Sequence, residues 1–231
     1  MIISFIFLVL FLISCSDPVS SRDLAAEEIY FSGEITPTWG DFYEANVKLS
    51  PHNDNYDYVL LNKADSFYVK TDSVLKKLSL NGSSYSTEFF YHPGQTVNII
   101  LYLGETQQTL NSSIILPDDI HSTSLDINIE GQAKYHWIAE GADKFSVNWF
   151  IRCSSDETSD TQSFNQTLNE SIQIAQWDLD SFLSQGKWDS GVSCNLNAKS
   201  TRSIYGDVDF NYSGGDLIAS QKDERTYSFS L

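Results

Sequence analysis

The chain has 231 residues, of which 31 are Asp or Glu and 14 are Lys or Arg, for a formal charge of −17 at pH 7. So much acid repels a phosphate backbone, whose binding needs Lys and Arg to displace counterions; nucleic acid is therefore excluded as a partner, and docking on anionic lipid by charge is disfavoured. Aromatic residues make up 13% of the chain and Met occurs once, a balance that, with abundant Ser, Thr and Asn, favours half-buried strands joined by polar turns.

Met1 to Ser14 contain no charged side chain and are almost wholly apolar, which is the pattern of a secretory h-region. As a helix the run would span roughly 20 Å, short of the ~30 Å hydrocarbon core, so a permanent membrane span is not expected. Leu12-Ile13-Ser14-Cys15 then resembles the lipobox of bacterial lipoproteins. That resemblance implies a signal peptide over residues 1–14, cleavage before Cys15, and lipid attached to the Cys15 thiol. In the enterobacterial sorting rule an aspartate directly after the lipidated cysteine retains the protein in the inner membrane; Ser16 stands there, which points to the outer membrane where that rule operates. The alternative is an ordinary signal peptide cut elsewhere, with Cys15 left as a free thiol. Residues 16 to 27 are small, polar and acidic without a period, as expected of a tether over 15–27 that lacks order.

From Glu28 the alternation of strands begins. Ile29, Phe31, Gly33 and Ile35 share one face, and Tyr43, Ala45, Val47 and Leu49 share another. Further strands are expected at Tyr58 to Leu61, Phe67 to Lys70, Leu78 to Leu80, Tyr85 to Tyr91, Thr96 to Leu103 and Ile114 to Leu116. Turn signals separate them at Pro51 to Asp54, Asn81-Gly82 and His92 to Gly94. Many short strands without a helical period predict an N-terminal β-sandwich over 28–117, resembling the immunoglobulin and fibronectin type III class.

Pro117-Asp118-Asp119 reads as a linker, and a second all-β sandwich is expected over 124–231. Its rows are Leu125, Ile127 and Ile129; Tyr135 and Trp137; Phe145 to Cys153 by twos; and Val192 to Ala198 by twos. Residues 154 to 163 read as a polar loop, Ile172 to Ile174 as a strand, and Asp178 to Gln185 as a short helix ended by Gly186. With Cys15 assigned to lipid, Cys153 and Cys194 remain as a pair for an oxidising compartment. Both end or interrupt apolar rows on one side of their strands, so a structural disulfide is expected, worth roughly 4 kcal/mol for the loop it closes.

A sparse set of residues in the second half is similar to a family of uncharacterised two-domain secreted proteins and lipoproteins. They are Leu116-Pro117, His136-Trp137, Gly141-Ala142-Asp143, Cys153, Cys194, Arg202, Gly206, Asp207, Phe210, Gly214-Gly215, Ala219, Gln221, Arg225 and Phe229. The resemblance implies export and a β-sandwich pair, and it carries no activity. A true immunoglobulin corner is not met: Asp189-Ser190-Gly191 precede Cys194 with one residue missing, and Val192 stands in the tyrosine position.

Reaction chemistry is not legible. His52, His92, His121 and His136 are scattered without ligand spacing, and no Cys-x-x-Cys occurs, so no metal or other cofactor is expected. Gly191-Val192-Ser193-Cys194-Asn195 lacks the last glycine of a nucleophile elbow, and alternation turns Ser193 outward. Asn53 to Asp57 offers oxygens at alternate positions but fails the EF-hand pattern at Tyr58 and Ala64; a solvated turn is the plainer reading. Asp207 and Asp209 could share a strand face and hold a cation. Trp39, Trp137, Trp149, Trp177 and Trp188 read mainly as core. No catalytic residue is expected. The reading reached is a non-enzymatic envelope scaffold or recognition module, held to the membrane by its N-terminal lipid and meeting an unidentified protein or glycan partner; a carbohydrate-binding module comes second and a small hydrolase third.

Overall fold

Alternation at period two lets each strand bury one row of side chains and leave the other in water, and the chain uses it throughout. The computed structural model describes residues 18–39, 42–51, 57–91, 94–116, 121–127, 132–138, 144–154, 159–168, 174–179 and 192–230. In chain order the strands are β1 (Val19–Ser20), β2 (Ile29–Pro37), β3 (Phe42–Pro51), β4 (Val59–Leu60), β5 (Ser66–Lys70), β6 (Leu75–Lys77), β7 (Ser79–Asn81), β8 (Ser84–Phe90) and β9 (Thr96–Leu103). There follow β10 (Gln108–Ile115), β11 (His121–Ile127), β12 (Gln132–Ile138), β13 (Lys144–Ser154), β14 (Ser159–Leu168), β15 (Ile174–Asp178), β16 (Ser193–Tyr205) and β17 (Gly214–Ser230). The fold is all-β.

One eight-stranded sheet, in the order β14-β13-β16-β17-β2-β3-β8-β7, runs through both sandwiches. Half of it packs on the sheet β10-β9-β5-β6 and half on β11-β12-β15. The first core holds Phe31, Ile35, Leu49, Phe67, Ile99 and Leu101, and it also takes Tyr212, Leu217 and Ala219 from the far end of the sequence. They arrive because β17 lies parallel to β2, Gly214 opposite Tyr30 and Ala219 opposite Ile35. The two strands approach so closely that a Cβ on Gly215 would stand 2.0 Å from the Phe31 carbonyl oxygen. The second core is built on Tyr135, Trp137, Phe145, Trp149, Ile151 and Leu196, with the bond between Cys153 and Cys194 inside it.

Four sequence expectations differ from this picture. Within 154 to 163, residues 159–163 belong to β14: of its residues 161–168 only Leu168 is buried, and the polar remainder hides the period. β10 starts at Gln108 rather than near Ile114, because Ser112 is fully buried in the row Leu110, Ser112, Ile114 and interrupts the apolar signal. β17 carries charged residues from Lys222 to Arg225 and gave no strand pattern. Residues 18–27 are ordered: β1 pairs with β4, two single turns of 3₁₀ helix follow at Ser21–Asp23 and Ala26–Glu28, and Ala26 is fully buried. Of the expected helix, Asp178 is the last residue of β15 and residues 180–185 lie outside the described set, as does Cys15.

Candidate functional site

Where the eight-stranded sheet passes from one sandwich to the other, its outer face forms a groove of about 390 Å³. Strand alternation sets its lining. On β17 Leu217 and Ala219 go into the first core, so Asp216, Ile218 and Ser220 go out; on β13 Phe145 and Val147 go in, so Lys144 and Ser146 go out. Register then aligns the rows: Ile218 lies between Tyr205 of β16 and Glu34 of β2, and Ser203 lies between Lys144 and Ser220. The result is a concave patch of serine hydroxyls with two carboxylates, one ammonium and one half-exposed tyrosine ring. Its size is in the range of ligand sites, but its walls are polar where small-molecule sites are mainly apolar. Such a surface offers hydrogen bonds to an extended polar partner.

A second polar cluster joins the sheets of the second sandwich. The Tyr135 hydroxyl donates to Asp223 Oδ2 at 2.9 Å and lies 2.8 Å from Ser200 Oγ. Arg225 Nε donates to the same Asp223 oxygen at 3.1 Å and to Thr123 Oγ1 at 2.6 Å. Burial, reinforced by the charge of Asp223, pushes the Tyr135 phenol well above its ordinary value of 10.0. It stays a neutral donor, the opposite of what a general base needs, and the cluster acts as a clamp between β12, β16, β17 and β11. A third cluster ties down the chain start: the Asp65 carboxylate accepts from Ser21 Oγ, from Asn62 N at 3.0 Å and from Gly104 N at 2.9 Å. An acid so fully engaged is an anchor.

Cys153 and Cys194 are bonded, sit directly opposite in β13 and β16 with Cα atoms 4.1 Å apart, and are buried. Ser193 is the exposed first residue of β16. Asp207 and Asp209 do not share a strand face. Asp207 exchanges backbone hydrogen bonds with Ser113, and Asp209 accepts from Asn111 N at 2.7 Å and from both N and Nδ2 of Asn211. Burial alone would raise the Asp209 carboxyl, but these hydrogen bonds outweigh it and hold it below its ordinary value. His136 is half-buried in β12; the side chains of His52, His92 and His121, and residues 53–56, lie outside the described set. Among the described residues no group of three His, Cys, Asp or Glu could hold a metal.

Trp137 stacks on Phe145 at 4.0 Å, and Trp149 packs 6.2 Å from Trp177, all in the second core; Trp39 is exposed at the β2–β3 turn, and Trp188 lies outside the described residues. Among the described exposed rings Phe42 meets Phe90 at 75° and Tyr227 meets Phe229 at 39°, whereas Phe164 stacks on Trp177 at 24°. Neither the groove nor the Tyr135 clamp was found by sequence reasoning. A signal existed for the clamp, since Asp223 and Arg225 share the parity of Phe229 and so face inward on β17.

No protein-family model matches the chain, and no curated protein matches it. Among solved structures it is similar to a cytokine receptor complex (9% identity, 81% of this chain and 90% of that one, TM-score 0.30). Others are the FN1–FN3 domains of chicken CNTN1 (7%, 94% and 67%, TM-score 0.32) and a segment of two fibronectin type III domains from chicken tenascin (10%, 87% and 98%, TM-score 0.28). The fold assignment here stands on the strand pairing itself.

Proposed function

We propose that the chain is an exported, lipid-anchored envelope protein with no catalytic task, which uses its outer sheet face to hold a protein partner. The observation that carries this reading is the composite groove: β16 and β17 cross both sandwiches, so residues of both stand at fixed spacing around one polar surface. Export is supported by the apolar run before Cys15 and by the disulfide, which suits an oxidising compartment. Lipid on Cys15 would supply the attachment that the acidic surface does not. A glycan reading is less well served, because sugars stack on flat exposed rings and the residues lining the groove include a single aromatic ring, Tyr205.

A photo-reactive phenylalanine analogue at Tyr205, activated in intact cells, tests the groove. A discrete, protease-sensitive adduct is expected; an adduct destroyed by glycosidase, or none, overturns the reading. Labelling with a palmitate analogue tests the anchor: native chain should take label and Cys15→Ala should not, and equal label in both rejects lipidation.

A further inference from the structure

A sheet edge presents a row of unpaired N–H and C=O groups, and proteins that must stay single cover it, shorten it or charge it. Most edges of this chain are managed so. β10 is covered by the segment from Asp207, through the paired backbone bonds with Ser113 at 2.8 Å and the Asp209 carboxylate on Asn111 N. β6 and β7 have three residues each and β15 has five. β11 is tied to β17 by Arg225 and Thr123, and β17 past Ala219 carries Lys222, Asp223, Glu224 and Arg225. β14 is not short, and its one charged residue is Asp160 near its start. It is ten residues long, follows β13 in unbroken register, and has no charged residue from Thr161 to Leu168. Among the described residues no strand pairs with its outer side.

The edge also reads nearly the same in both directions: Thr161-Gln162-Ser163-Phe164-Asn165-Gln166-Thr167. Opposite residues of an antiparallel pair lie on the same face. A second copy of β14, turned about a twofold axis at Phe164, therefore sets Phe164 against itself, Gln162 against Gln166, Ser163 against Asn165 and Thr161 against Thr167. No like charges meet, although each chain carries −17. Two side chains favour this register. Phe164 stacks on Trp177 yet remains 44% exposed, and its twin would cover it. Gln166 Oε1 is buried with no hydrogen-bond partner among the described residues, and the Gln162 amide of the second copy would stand opposite it as a donor.

We propose that the chain forms a closed homodimer through β14, antiparallel and centred on Phe164, which joins two eight-stranded sheets into one. The same edge serves both copies, so assembly stops at two.

Native mass spectrometry of the full chain, released from mild detergent over a concentration series, tests this. A concentration-dependent dimer is expected. Ser163→Lys with Asn165→Lys puts lysine opposite lysine twice, at exposed positions outside the core, and should weaken the dimer at least tenfold. Ser163→Lys with Asn165→Glu puts lysine opposite glutamate and should restore it; near-ultraviolet circular dichroism verifies that both variants stay folded. A chain monomeric at every concentration, a dimer indifferent to the lysine pair, open-ended oligomers, or a foreign strand held in place of the second copy would each overturn the proposal.

Discussion

The first sandwich buries a mixed aliphatic and aromatic core between four strands and half of the long sheet, whereas the second packs Tyr135, Trp137, Phe145, Trp149 and Trp177 under only three strands. The larger core has no cross-link, and its closure depends on area and on the arrival of β17. The smaller one has the Cys153–Cys194 bond and the Tyr135 clamp. A core with less surface to bury leans on large rings, on a covalent restraint of the unfolded chain and on a hydrogen-bonded clamp between its sheets. Their common strands make the comparison testable, because damage to either can travel along β16 and β17.

The largest effect is expected from Trp149→Ala, which removes a fully buried indole and should cost about 3–5 kcal/mol. Because β16 and β17 serve both cores, denaturant unfolding should still show one transition, shifted down. Two separated transitions would show that the sandwiches fold independently.

Replacing Cys153 and Cys194 by alanine should cost about 2–4 kcal/mol, since the bond closes a sequence separation of 41 residues. Hydrogen exchange should quicken first in β13 and β16, with β3, β8 and β9 still protected. Equal quickening in both sandwiches would mean that the disulfide stabilises the whole chain and not the smaller core.

Tyr135→Phe should cost about 1–2 kcal/mol at neutral pH, because Asp223 and Ser200 lose a buried partner. The phenol is raised above its ordinary value of 10.0 in the fold, so its stabilising contribution is whole below pH 10 and is lost as pH rises beyond that toward the folded value. The variant should flatten the alkaline fall of the second sandwich. An unchanged alkaline profile, followed by exchange in β12, would refute the assignment.

The smallest effect falls in the first core. The Tyr212 hydroxyl is buried with no hydrogen-bond partner among the described residues, and its phenol is raised by burial and then by Asp209. Tyr212→Phe should therefore be neutral or gain up to about 1 kcal/mol, opposite in sign to Tyr135→Phe. A loss above that, measured by thermal melting, would show that the hydroxyl is bonded in solution.

The strands legible in the sequence are those that bury a full apolar row. β9 matches its expected bounds, and β2, β3, β5, β8 and β13 lie within about two residues of theirs. β14 and β17 escaped notice because an edge strand, or one whose inward row includes Asp223 and Arg225, lacks that row. The groove escaped for a related reason: its serines, Glu34, Lys144 and Asp216 occupy outward positions, where composition carries no period of its own.

What the sequence determined alone was local: which residues alternate, that Phe145 to Cys153 and Val192 to Ala198 are each rows of one parity, and hence that each cysteine lies on the apolar face of its own strand. Only the tertiary structure decided which strands are neighbours. It laid β17 beside β2, brought Tyr212, Leu217 and Ala219 into a core begun at Ala26, and set Lys144 across from Ser203 and Asp216 across from Ser32. Alternation states which face a side chain takes because the pleat is a property of one strand. Pairing depends on closing the intervening loops around a shared core, and that cost and gain are properties of the whole chain.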